Sequence, residues 1–287
     1  WITYLMFRYF KNQNHKDKTN KYIILLAVTA ALGTGIQMVF LGSLLPIIIF
    51  FVIDILFKKK IISKFFNYKK LLYDFIKCFL IFYLLLIFFW IDTYPNILVL
   101  PFNILLETFS ENYWTGWPFN LINGNYYLAS NVPKFYLFIN LFFKSPEFVV
   151  LTYFMFPFIV YVSKGFFTKK INFFNYKILL IISILIFPNI ILFVIPYPIY
   201  DGMRLFLWML PYIAIVPGLT IYFLIQNFNN LSSKIASFLI SILVLYFLII
   251  FFSITPYQYT YLNFFNGSKE NRYKKFENDY WGASLNR

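Results

Sequence analysis

Asp201 and Arg204 stand three residues apart in the stretch Tyr-Pro-Ile-Tyr-Asp-Gly-Met-Arg, residues 197–204, in a chain of which only 13% is charged. The stretch separates two long apolar runs. A guanidinium at the mouth of a membrane span can hold a phosphate through two parallel hydrogen bonds. A helix starting there adds the positive end of its dipole. A lipid phosphate at headgroup depth is the anion such a place would meet. The same residues also fit plainer roles: Asp201 as a helix N-cap, Arg204 as an interfacial anchor paired to it at i,i+3. A second set of capable residues lies near the end of the chain. Tyr257, Tyr259 and Tyr261 alternate, so an extended backbone would set them on one face. Asp279, Tyr280 and Trp281 put a carboxylate beside two rings. Rings stack on sugar faces and carboxylates accept hydroxyl hydrogen bonds, so these tail residues suit a sugar as well as an ordinary interfacial tail.

Positioning these residues requires elements that the composition identifies. The 287 residues are 61% hydrophobic with a mean hydropathy of +0.69, more apolar than a water-soluble domain of this length. Several apolar runs approach or exceed the ~20 residues that cross ~30 Å of hydrocarbon. A β-barrel would instead show alternating segments of ~10 residues. The expected fold is all-α, a polytopic transmembrane helical bundle of about seven spans with interfacial helices in one long outer loop. The run 22–57 would be ~54 Å long as one helix, well over a membrane thickness. Both its ends are basic, so it is expected to go out and return, turning near Gly33-Thr34-Gly35 with Gln37 at the tip. Five further spans are expected at about 72–90, 148–162, 178–195, 206–226 and 236–254. Residues 1–10 read as the last turns of a helix whose earlier part is missing. Residues 1–254 are then the membrane core, lacking its N-terminal part, and 255–287 an outer-face tail or the start of a further segment.

Charge orients this bundle. Eight of the 25 Lys and Arg fall in the loops holding residues 91–147, Arg204 and the tail; the rest fall in the opposite loops. The positive-inside rule puts the Lys-rich loops in the cytoplasm. Three polar segments therefore converge on the outer face. A net charge of +14 would suggest nucleic acid in a soluble protein; basic loops gathered on one membrane face account for it here, and no nucleic-acid partner is expected. The lone Cys78 excludes an internal disulfide, and the lone His15 lies in a polar loop, so a Cys or His metal cluster is not expected.

The outer loop is not simply solvated. Residues 135–143 are almost all apolar, bracketed by Lys134 and Lys144 and followed by Pro146. They are too short to span and fit a helix lying in the interface; residues 97–109 fit a second. Between them run Trp114-Thr115-Gly116-Trp117-Pro118 and Asn123-Gly124-Asn125-Tyr126-Tyr127. Such aromatics are ordinary headgroup anchors, or part of a roof over a cavity that opens to the lipid.

Three stretches in this order resemble the multi-span glycosyltransferases that use polyprenyl-phosphate sugars, of the dolichyl-phosphate-mannose-protein mannosyltransferase and aminoarabinose transferase type, with the GT-C fold. One is Asn123 to Tyr127, continuing through Pro133, Tyr136 and Pro146. Another is Tyr200-Asp201-Gly202-Met203-Arg204 with Pro211. The third is Pro256-Tyr257-Gln258-Tyr259 with Asp279-Tyr280-Trp281-Gly282. The hairpin around residues 33–46 fits less specifically. The resemblance implies sugar transfer from a polyprenyl-phosphate donor to an acceptor glycan, lipid or protein at the outer face, by an inverting displacement with or without a divalent metal. It makes Arg204 the candidate holder of the donor phosphate, with Tyr200 and Asp201 supporting it. Gly124, Tyr126, Tyr136, Tyr257, Tyr259, Asp279, Tyr280 and Trp281 become substrate-side candidates. The acidic base of such enzymes sits in a first outer loop that would precede Trp1, so no catalytic residue is assigned. The implied location is a multi-pass place in the bacterial inner (plasma) membrane.

Two other readings compete. A transporter or flippase of lipid-linked sugars would place ionisable residues near mid-membrane or broken helices in paired repeats. The sequence has neither a mid-span charge pair nor a visible repeat, although Pro188, Pro211 and Pro217-Gly218 permit kinks. For a non-enzymatic membrane scaffold nothing specific argues.

Overall fold

The structure, a computed structural model, describes residues 1–36, 40–61, 66–108, 119–163, 165–194, 199, 202–272 and 274–276. It is 78% helical. Among the described residues six helices are long and apolar enough to cross a membrane: Asp17–Ile36, Phe40–Lys58, Tyr68–Phe89, Phe174–Val194, Arg204–Gln226 and Leu231–Ser253. Tyr136–Lys144 and Glu147–Val162, bent by 115°, make a seventh if they are one broken span. The chain is therefore an all-α, polytopic helical bundle. It divides into two compact units, Trp1–Trp114 and Thr115–Arg287.

The first unit holds α1 (Ile2–Asn12), α2 (Lys16–Ile36), α3 (Phe40–Ile53), α4 (Tyr68–Phe89) and α5 (Leu100–Thr108). Helix α2 packs against α1 and α4. The run 22–57 forms two span-length helices, as expected, but Gly33, Thr34 and Gly35 themselves lie inside α2, which ends at Ile36 before the next helix begins at Phe40. Thr34 stays helical by donating its hydroxyl to the Ala30 carbonyl at 2.8 Å. Gly33 serves close packing instead, since a β-carbon there would overlap the Phe40 ring. Gln37 lies outside the described residues.

Two buried carboxylates organise the ends of these helices. Asp54 sits where α3 runs into a π-helical turn, Asp54–Lys58. Its carboxylate accepts the backbone N–H of Lys60 and of Ile61, both at 3.0 Å, and so ends the helix as a side-chain cap. Asp74, in the second turn of α4, accepts the Tyr9 hydroxyl at 2.8 Å. Gln13, just past α1, exchanges two hydrogen bonds with the backbone of Asn67. Asn67 in turn caps α4 by accepting the Lys70 N–H at 3.1 Å. Each buried polar group thus finds a partner, as a low-dielectric interior requires.

The second unit opens with a hairpin of β1 (Phe119–Ile122) and β2 (Asn125–Leu128), Ile122 facing Asn125 across the turn. Both turn residues, Asn123 and Gly124, have positive φ, 48° and 88°. That is the left-handed conformation an Asn-Gly pair adopts at low cost, with a twist that matches the strands. Helices α6 (Tyr136–Lys144), α7 (Glu147–Val162), α8 (Phe166–Lys170), α9 (Phe174–Val194), α10 (Leu210–Ile213), α11 (Ile215–Gln226), α12 (Leu231–Ser253) and α13 (Lys269–Arg272) follow. The α6 helix expected at 135–143 forms almost as bounded. It stops because Pro146 pushes Ser145 into an extended conformation, φ −83° and ψ 146°. Helix α7 packs on α11 and α12, and α9 on α6, α8 and α10. At 16 residues α7 is ~24 Å long, short for a span on its own.

Candidate functional site

The stretch containing Arg204 is built into the second unit from three directions. Ile199, fully buried, is gripped by the hairpin region: its N–H donates to Ala129 O at 3.0 Å, and its carbonyl accepts Asn120 Nδ2 at 2.6 Å. Gly202 is buried with φ +61°. A β-carbon on it would come within 2.5 Å of Lys144 Nζ and 3.2 Å of Asn140 Oδ1. The ammonium at the end of α6 thus lies directly over this glycine. Arg204 begins a 3-10 segment, Arg204–Met209, that leads into α10 and α11. The guanidinium residue is exposed, while Phe206 and Met209 are buried beneath it beside Tyr136, Leu137 and Ile199. Short apolar spacing thereby turns one face of the segment inward and leaves its first residue at the surface.

The tail completes the assembly. Residues 261–266 fold back onto the bend between α6 and α7. Asn263 donates its backbone N–H to Phe143 O at 3.0 Å and its side-chain amide to Phe142 O and Ser145 O, at 2.5 and 3.1 Å. Asn266 Nδ2 donates to Phe143 O at 3.1 Å. Glu147, buried in the first turn of α7, accepts the Tyr261 hydroxyl at 2.5 Å and the Phe264 N–H at 2.9 Å. A carboxylate in the first turn of a helix also meets the favourable end of its dipole. Burial first, then the hydrogen bond to Glu147, pushes the Tyr261 hydroxyl well above its usual pKa. Arg272 returns to Leu262 O and Gly267 O. Finally, Gly124 N–H donates to Lys275 O at 3.0 Å, and Ile122 bridges Phe276.

These contacts sort the candidates named from sequence. Arg204 lies at the surface start of a span-length segment, as expected. Gly124 is the turn glycine of the hairpin, and its backbone ties down the tail. Tyr126 is 74% exposed on that hairpin, so its ring is open to a ligand. Tyr136 is 1% exposed within the apolar cluster, where its ring is a core element closed to substrate. The extended arrangement expected for Tyr257, Tyr259 and Tyr261 is replaced by a 3-10 turn, Gln258–Thr260, which rotates successive residues ~120° apart. Tyr257 is half-buried and Tyr261 turns inward onto Glu147. Tyr200, Asp201, Asp279, Tyr280 and Trp281 lie outside the described residues. Among the described residues no three His, Cys, Asp or Glu side chains gather as metal ligands would.

Sequence reasoning missed Lys144, Asn140, Glu147, Asn263 and Asn266 as members of one site. Lys144 reads only as a bracket of the interfacial helix, and no sequence pattern singles out Asn140, Asn263 or Asn266 as its neighbours. The one local signal available was Asn123-Gly124 between apolar and aromatic residues, a strong hairpin mark.

Fold and site together define a multi-pass α-helical membrane protein whose second unit gathers Lys144, Arg204 and the folded-back tail. Models of known families, curated proteins and solved structures were compared with the chain, and none matches it.

Proposed function

We propose that the protein transfers a sugar from a polyprenyl-phosphate donor to an acceptor glycan, lipid or protein at the outer face of the membrane. The observation that carries this reading is the Lys144 ammonium over Gly202, two residues before the exposed Arg204 at the start of a span-length segment. Two cations held at such a mouth suit a phosphate: a guanidinium offers a planar fork and an ammonium a compact point charge. The exposed Tyr126 ring on the neighbouring hairpin suits a sugar face. Order and spacing of the Asn-Gly-Asn-Tyr-Tyr, Tyr-Asp-Gly-Met-Arg and Pro-Tyr-Gln-Tyr stretches add the family resemblance. The bacterial inner membrane is the proposed location, and a divalent metal is compatible with the same chemistry.

The test is sugar transfer from a polyprenyl-phosphate donor by the full-length protein in proteoliposomes. Arg204→Ala and Lys144→Ala each remove a charge-assisted contact and are expected to lower transfer about 10- to 100-fold while the protein still inserts. Wild-type protein inactive with every polyprenyl-phosphate sugar, or both variants fully active, would defeat the reading.

A further inference from the structure

The last carbonyls of α6 have no partners within their helix, and Pro146 bars the chain from continuing it. In most helices water or a local turn would satisfy them. Here the Ser145 N–H takes Leu141 O, and the tail takes Phe142 O and Phe143 O from more than a hundred residues away. Asn263 uses both protons of its amide, one on Phe142 O and one on Ser145 O. Asn263 N–H and Asn266 Nδ2 share Phe143 O. Both asparagines are fully buried. The backbone on either side of Lys144 is therefore held by these two residues, and it is Lys144 whose ammonium reaches Gly202.

We propose that Asn263 and Asn266 are positioning residues that set Lys144 over Gly202, so that docking of the tail is a condition for the phosphate-holding arrangement. This rests on the role given to Lys144 above. A tail that is docked presents Lys144 beside the Gly202–Arg204 backbone; a tail that is released frees the end of α6 and lets the ammonium swing into solvent.

The experiment has two arms on the full-length protein in nanodiscs. The first reads geometry alone: the rate of Lys144 acetylation by a water-soluble amine reagent, by mass spectrometry, relative to the exposed Lys134. Asn263→Ala is expected to speed Lys144 labelling about five-fold, with Asn263→Gln, which keeps the amide, restoring part of the protection. The second reads affinity for a long-chain polyprenyl phosphate. Asn263→Ala is expected to weaken binding about five-fold, and the double variant Asn263→Ala/Lys144→Ala to bind no worse than Lys144→Ala alone, the mark of one residue acting through another. Should Asn263→Ala fail to fold, Asn266→Ala, which gives up only the Phe143 carbonyl on α6, carries the same measurements. Unchanged Lys144 labelling overturns the proposal, as do additive losses in the double variant. Faster labelling in a protein that binds no polyprenyl phosphate keeps the positioning and sinks the phosphate role instead.

Discussion

Lys144 and Gly202 are matched to each other: the lysine ammonium lies 2.5 Å from the place where any other residue at 202 would carry its β-carbon. The glycine is needed twice over, because its φ of +61° is also one that side chains with a β-carbon adopt at a cost. Gly202→Ala should therefore destabilise the second unit by about 1–3 kcal/mol, combining backbone strain with displacement of the lysine. Thermal unfolding in detergent measures it. A Gly202→Ala/Lys144→Ala protein should recover part of the loss, since the clash goes and the strain stays.

Arg204 is at the surface, so salt should report on it. Binding of a polyprenyl phosphate is expected to weaken between low ionic strength and ~0.5 M salt, as exposed charges are screened. Arg204→Ala should flatten that dependence. Arg204→Lys should keep the salt dependence and lose affinity, because an ammonium cannot offer the two parallel hydrogen bonds of the fork.

Glu147 is the buried pin of the tail. Glu147→Ala leaves the Tyr261 hydroxyl and the Phe264 N–H without their acceptor and should cost about 2–4 kcal/mol. Glu147→Gln keeps one oxygen acceptor and should cost less. Limited proteolysis of the tail separates the two, with cleavage within residues 264–275 fastest in the alanine variant.

Tyr261 gives this pin a pH signature. Its folded pKa is raised, so its contribution is whole below about pH 10, where the hydroxyl is protonated in folded and unfolded chains alike. Above that the unfolded chain gives up its proton first, and the stabilisation is lost as pH climbs toward the raised folded value. The difference in thermal midpoint between wild type and Tyr261→Phe should be constant from neutral pH to about 10 and shrink beyond it.

In the first unit Gly33→Ala should push against the Phe40 ring and cost about 1–3 kcal/mol, as overpacking does. Gly35→Ala has open space at the same turn of α2 and should be neutral or better, alanine being the stronger helix former. A pair of melting curves decides this, and equal effects of the two substitutions would contradict the packing at Gly33.

The membrane class, the helical fold, six of the seven expected spans and the surface place of Arg204 were legible in the sequence. They depend on hydropathy summed over ~20 residues and on charges at the ends of runs, and both are local quantities. Even the interfacial helix α6 could be read, because Lys134, Lys144 and Pro146 bracket it. What the sequence left open was which residues meet. Gly33-Thr34-Gly35 looked like a turn because glycine permits one, yet close contact with Phe40 was the use made of it. Tyr257, Tyr259 and Tyr261 looked like one face because alternation has that meaning only in an extended chain, and a 3-10 turn removed the premise. The partnerships of Lys144 with Gly202, Asn263 with the end of α6, and Tyr261 with Glu147 join residues some 60 to 120 positions apart. Nothing in the local pattern of any of them names the other. Only the tertiary fold, which supplies partners for most of the polar groups it buries, decided those pairings.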